Sequence, residues 1–175
     1  MTKALHMKLT VTRFDQGKYE TAITRDDGVS YRLKGVAHMF AIPHDLAHFL
    51  VEKTLRLNSG FWGNVADGAV FKTMDYIGGR RKPRAAERSE SLLKANAAQL
   101  NEAEVLVRIF NDTLEQGHSE NSPLLRERLG GRLARPGLQF RRFSNEEISE
   151  VYAAYRDMLS KWKKLPVGGK MELRW

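Results

Sequence analysis

Residues 43–63 read PHDLAHFLVEKTLRLNSGFWG, and the rest of the chain is organised around this stretch. Pro43 suits the start of a helix, because its missing N–H would have no helical partner there and its fixed φ is already helical. Leucine and phenylalanine side chains then recur at helical spacing on one side. The pattern therefore predicts a helix with a buried apolar face. The opposite margin carries two imidazoles and two carboxylates: His44, Asp45, His48 and Glu52.

The spacing along this margin is compatible with a metal site. His44 and His48 are four residues apart, so a helix places their imidazoles on neighbouring turns, within reach of one divalent ion. Glu52, a further turn along, could supply an oxygen ligand, and His38 is a possible additional ligand. The chain has no cysteine, so nitrogen and oxygen must hold any metal. We predict that His44, His48 and Glu52 bind zinc or another divalent metal.

Residues 44–48 also have the form H-D-x-x-H, which is similar to the H-E-x-x-H motif of zinc proteases. In that reading Asp45 would be the general base acting on a water molecule held by the metal, and the site would support hydrolysis. The aspartate is one methylene shorter than the glutamate of the motif. It therefore reaches less far toward such a water.

A purely structural interpretation accounts for the same residues. Asp45, in the first helical turn, interacts favourably with the helix dipole. His48 and Glu52 have the i,i+4 spacing of a hydrogen-bonded pair at the edge of a core. The sequence leaves both interpretations open, and with them the question of whether the protein is an enzyme.

The remaining periodicities predict an α+β fold. Apolar and polar residues alternate around residues 7–11, 19–23 and 29–33, and the intervening turn residues favour hairpins. Alternation returns at 171–175, which predicts a C-terminal strand in the same antiparallel sheet. Besides the helix after Pro43, helical spacing spans residues 86–116, with a possible break near 96–101, and 145–163. Ser144 and Glu147 have the S-x-x-E spacing of a capping box, which predicts the start of the last helix. We expect three main helices packed on this small sheet.

The chain of 175 residues fits a single domain. The segment 78–88 (GGRRKPRAAER) is the best candidate for a mobile basic connection, and residues 118–143 are expected to be rich in loops. The sequence has no apolar run long enough for a signal peptide or a bilayer span, so we expect a cytoplasmic protein without membrane contact.

The basic residues suggest an alternative function. The formal net charge is +8, and arginine and lysine concentrate in two segments. Such side chains bind phosphates, so nucleic acid or another polyanion is a possible partner. The residues that would bind it are Arg80, Arg81, Lys82, Arg84, Arg141 and Arg142. A non-catalytic interaction protein, including a homodimer formed through the apolar stripe of a long helix, is a further alternative.

Three motifs together carry a family resemblance: the segment PHDLAHFLVE, the GFWG that follows it and the ending LPVGGKMELRW. This combination resembles an uncharacterised family of bacterial proteins of similar length. The resemblance covers both ends of the chain. It implies a bacterial cytosolic single domain, and it implies no activity, substrate or catalytic residue.

Overall fold

The computed structural model describes residues 7–37, 42–130 and 141–175. Within these ranges five strands form one antiparallel sheet in the order β4-β3-β2-β1-β5. The strands are β1 (Lys8–Arg13), β2 (Lys18–Thr24), β3 (Ser30–Val36), β4 (Asp75–Gly78) and β5 (Lys170–Arg174). The helices of the same ranges are α1 (His44–Thr54), α2 (Phe61–Ala66), α3 (Ala85–Ala95), α4 (Ala97–Glu115), α5 (Pro123–Leu129) and α6 (Asn145–Lys164).

The predicted α+β fold with an antiparallel sheet is confirmed. The three N-terminal strands pair as consecutive neighbours, and the C-terminal strand β5 returns to pair with β1. The N–H of Trp175 extends this pairing by donating to the carbonyl of Met7. The sequence did not predict β4, because its four residues are too few to show a period of two. None of the helices in the described part of the chain combines the length and apolarity needed to cross a membrane.

The apolar face of the sheet and the helices share one core. Strand residues such as Leu9, Val11 and Ile23 are fully buried, and so are Leu106 and Phe110 of α4 and Ile148 and Val151 of α6. The apolar stripes of α4 and α6 therefore face the inside of the molecule. Each large aliphatic or aromatic side chain buried in this way contributes about 1.5–3 kcal/mol relative to remaining exposed.

Three local features mark where helices begin or break. The capping box predicted at Ser144 and Glu147 is confirmed, with both reciprocal hydrogen bonds present at the start of α6. The long helical pattern of residues 86–116 breaks at Asn96, which separates α3 from α4. Pro43 is the cap of α1, one residue before its first helical residue.

The two segments expected to lie outside regular structure are partly ordered into elements. Residues 78–88 contain the end of β4 and the first turn of α3, and residues 118–143 contain α5. Residues 131–140 of the second segment lie outside the described residues. The mobility of these segments stays a prediction.

Candidate metal site on helix α1

The site begins with a carboxylate buried beneath α1. Glu52 is completely buried, and both its oxygens accept hydrogen bonds. Oε1 accepts from the N–H of Phe61 at 2.8 Å and Oε2 from the N–H of Trp62 at 2.9 Å. These are the first two N–H groups of α2, which have no partner inside the helix. Glu52 therefore caps α2, and this explains why the GFWG segment lies against α1.

Gly60 makes this approach possible. A Cβ atom at Gly60 would lie 2.4 Å from the carboxyl carbon of Glu52, closer than any real contact of this kind. Its φ of −75° is ordinary, so the glycine is required by space and not by backbone conformation. The glycine before Phe61 is thus a structural partner of the glutamate eight residues earlier.

His48 connects the buried carboxylate to the surface. Its Nδ1 lies 2.8 Å from Oε1 of Glu52, and its Nε2 lies 2.9 Å from Oε2 of Glu104 on α4. Burial alone would lower the pKa of His48, but its hydrogen bonds to Glu104 and Glu52 outweigh that effect and raise the pKa to about 9. Without a metal, His48 is therefore an imidazolium held between two carboxylates at neutral pH.

Two further side chains, those of His44 and Glu104, lie near the outer end of His48. The ligand atoms of these three residues all lie within 4.8 Å of one another. His44 Nε2 lies 3.8 Å from Oε2 of Glu104, and the two imidazole rings are 4.6 Å apart between centroids. The nearby imidazole of His44 and the hydrogen bond with His48 keep the pKa of Glu104 below its ordinary value. Glu104 is therefore ionised and accessible, with 44% of its side chain exposed.

A hydrogen bond between α2 and the start of α4 helps to position Glu104. The buried Asn64 of α2 accepts a hydrogen bond at 2.9 Å from the side chain of Asn96, which lies at the junction of α3 and α4. Helix α4 starts at the next residue, Ala97, and Glu104 follows seven residues later, two turns along. The same α2 that Glu52 caps thus sets the start of the helix that carries Glu104.

The structure places the predicted site residues in two groups. His44 and His48 come together, but the third member of their cluster is Glu104, and Glu52 lies behind His48 on its other nitrogen. Asp45 points toward the sheet, where Thr21 Oγ1 donates to it at 3.2 Å. Burial raises the pKa of Asp45, while the hydrogen bond from Thr21 and the nearby His44 oppose that rise. His38 lies outside the described residues.

The donor set fits a zinc-sized ion with little movement. Ligand atoms about 2.0–2.1 Å from a tetrahedral ion are about 3.4 Å apart. The two contacts of Glu104, 2.9 Å to His48 and 3.8 Å to His44, lie on either side of that spacing. Each of these two distances differs from that spacing by about half an ångström, and His44 has room to move because 61% of its side chain is exposed.

The basic residues predicted to bind nucleic acid lie in two segments and differ in their contacts. Arg84 pairs with Glu87, and Arg81 lies over the ring of Tyr76. Arg141 forms two hydrogen bonds to Glu147 and a third to the carbonyl of Leu55, so it ties α6 to the end of α1. The remaining three are Arg80, Lys82 and Arg142, all exposed. Binding of nucleic acid through this set stays a prediction.

Comparison with known proteins adds no relative. No family model, no curated protein and no solved structure matches this chain. The resemblance drawn from the sequence motifs stays a prediction. The function is therefore argued from the geometry of the α1 cluster.

Proposed function

We propose that the protein binds one divalent metal ion through His44, His48 and Glu104, with Glu52 as the carboxylate that supports His48. The observation that carries this proposal is the pair of contacts made by His48. Glu52 occupies Nδ1 from inside the protein, which leaves Nε2 directed at Glu104 and toward His44. Metal-binding histidines commonly have this arrangement, in which a carboxylate orients the ring through one nitrogen and the metal takes the other.

The charges are consistent with a divalent ion. Glu52 and Glu104 together contribute two negative charges, which balance a 2+ ion once His48 has lost its extra proton. Two imidazoles and one carboxylate, without thiolate, suit zinc and its first-row neighbours better than calcium or magnesium, which prefer oxygen alone. Three protein ligands leave a coordination position for a water molecule or a substrate.

Hydrolysis is the reaction that such a metal would support, because a bound divalent ion polarises carbonyl and phosphoryl groups. The role of Asp45 as general base stays a prediction. Its carboxylate already accepts a hydrogen bond from Thr21. The variant Asp45→Asn therefore distinguishes a catalytic role of Asp45 from a structural one. If Asp45 is the base, the variant retains the metal and loses hydrolysis of an activated ester by the zinc-loaded protein. If Asp45 is only structural, the variant loses stability and any ester hydrolysis is unchanged.

Calorimetric titration of zinc into tag-free, metal-stripped protein tests metal binding. We expect one ion per chain in the wild type and loss of binding in His48→Ala, because one imidazole and one carboxylate make a poor zinc site. The matched pair is Glu104→Gln against Glu102→Gln, which removes the same charge on the same helix. We expect only the first to lose binding. Absence of wild-type binding at micromolar zinc, or equal loss in the two glutamine variants, would overturn the proposal.

A further inference from the structure

A second concave site lies away from the α1 cluster, between α3 and the segment that leads into β4. It is a cleft of about 590 Å³, within the size range of small-molecule sites. Its walls include the partly exposed Phe71, the buried Tyr31 and the small side chains of Ala85 and Ala86 on the first turn of α3. Because the two alanines extend little from the helix, the slot beside them stays open. Neither His44 nor His48 is among its lining residues.

Three charged side chains line the cleft. Lys72, Arg81 and Glu90 line it, and within the described residues none of the three forms an ion pair or a side-chain hydrogen bond. Arg81 is held in place by aromatic contacts instead. Its guanidinium lies 3.8 Å from the ring centroid of Tyr76 and 5.7 Å from that of Tyr31. A planar guanidinium oriented in this way presents its N–H groups in a fixed fork, which suits phosphate.

The positive and negative groups are separated along the cleft. Arg81 precedes α3, near the end of the helix where the dipole is positive, whereas Glu90 lies five residues beyond Ala85, about 7.5 Å further along the helix axis. An anion is therefore favoured at the Arg81 end and a hydrogen-bond donor at the Glu90 end. Phe71, which also lines the cleft and is partly exposed, offers an aromatic surface on which a flat ring can stack.

We propose that this cleft binds a nucleoside monophosphate whose base carries an exocyclic amine. Arg81, with Lys72, receives the phosphate, and the base enters the space beside Phe71. Glu90 accepts a hydrogen bond from the exocyclic amine. A bare anion would use only one end of the cleft and would leave the apolar walls and Glu90 without a partner. This proposal does not depend on metal at the α1 cluster.

Titration of the full chain followed by protein NMR tests the proposal, with adenosine monophosphate, inosine monophosphate, adenosine and inorganic phosphate as separate probes. We expect adenosine monophosphate to bind at least about tenfold more tightly than adenosine or phosphate alone. Its shifts should centre on Tyr31, Phe71 and the start of α3. Inosine monophosphate, which replaces the amine by an oxygen, should bind more weakly, and Glu90→Gln should reduce that preference.

Arg81→Ala and Arg80→Ala form the matched pair, because both remove one exposed positive charge from adjacent positions and only Arg81 lines the cleft. We expect about a tenfold loss of affinity in Arg81→Ala and little change in Arg80→Ala. Equal losses in the two variants would show general attraction of anions to a basic surface and would overturn the proposal. So would absence of saturation at millimolar nucleotide, or phosphate binding as tightly as the nucleotide.

Discussion

The α1 cluster and the cleft beside α3 hold their charged side chains in opposite ways. At the cluster, Glu52 and His48 are buried and bonded to the backbone of α2 and to each other. At the cleft, Lys72, Arg81 and Glu90 are exposed, and the space between them is open. The cluster is therefore part of what holds the fold together, whereas the cleft is a surface that the fold merely positions.

This difference predicts where substitutions affect stability. A buried carboxylate that accepts hydrogen bonds from two backbone N–H groups and from an imidazolium cannot be removed without leaving both N–H groups and the Nδ1 of the imidazolium unpaired. An exposed side chain that contacts only solvent can be removed at little cost. Substitutions at the α1 cluster should therefore lower the free energy of unfolding, whereas substitutions at the cleft should change it little. This difference is expected even though both regions are proposed to bind ligands.

The largest effect is expected at Glu52. In Glu52→Ala we expect the free energy of unfolding to fall by about 3–5 kcal/mol, because the cap of α2 and the partner of the buried His48 are lost together. Glu90→Ala at the cleft is the control and should change stability by less than about 0.5 kcal/mol. Urea unfolding followed by tryptophan fluorescence measures both. Similar stabilities for the two variants would remove the distinction between the regions.

The next effect is expected at Gly60, with a second glycine as its control. Gly60→Ala forces a Cβ against the Glu52 carboxylate and should destabilise the protein by about 1–3 kcal/mol. A Cβ at Gly78, the last residue of β4, meets nothing within 4 Å. Gly78→Ala should therefore be close to neutral. Thermal unfolding of the two single variants checks this, and a Gly60→Ala protein as stable as the wild type would show that the carboxylate is not held where we describe it.

The smallest effect concerns Arg141 and Glu147, an exposed pair that resembles the cleft in its contact with solvent. Hydrogen bonds from Arg141 and from the backbone of Ser144 lower the pKa of Glu147 from 4.5 to about 2. Because the folded pKa lies below the unfolded one, the pair stabilises the protein above about pH 4.5, and this contribution is lost as the pH falls toward 2.

Solvent screening limits that contribution to about 1 kcal/mol or less. Chemical unfolding of Glu147→Gln between pH 2.5 and pH 6, with Glu146→Gln beside it, measures the contribution. The gap in stability between the wild type and Glu147→Gln should narrow as the pH falls, and Glu146→Gln controls for the loss of a carboxylate from the same helical turn. A wild-type advantage over Glu147→Gln that persists unchanged at the lowest pH would contradict the assignment.

The parts of the fold that sequence could predict are those with local periodicity. Alternation predicted β1, β2, β3 and β5, and the Ser144 and Glu147 spacing predicted the start of α6. Strand β4 was missed because Tyr76 and Ile77 are its only large apolar residues and both are exposed. Its place in the sheet comes from pairing with β3, a tertiary interaction that its own residues do not reveal.

In the candidate site, too, the sequence predicted only what depends on local helical spacing. Helical spacing brought out His44 and His48, because residues four apart on a helix lie on one face. Glu104 is 56 residues from His48 in sequence, and α4 carries other acidic residues with equal chemical claims. The signal available in the sequence was that Glu104 lies three residues before Val107, at the margin of the buried stripe of α4. This position predicts a partly buried carboxylate, but it does not identify the helix that the carboxylate faces.

The central claim is that Glu104, and not Glu52, completes a metal site with His44 and His48. Anomalous scattering at the zinc absorption edge, from crystals of the tag-free protein grown with zinc, tests it most directly. We predict one strong peak within bonding distance of Nε2 of both histidines and of a Glu104 oxygen, with Glu52 still bonded to Nδ1 of His48. A peak bonded to Glu52, or His48 still bridging the two carboxylates with no peak beside it, would contradict the account.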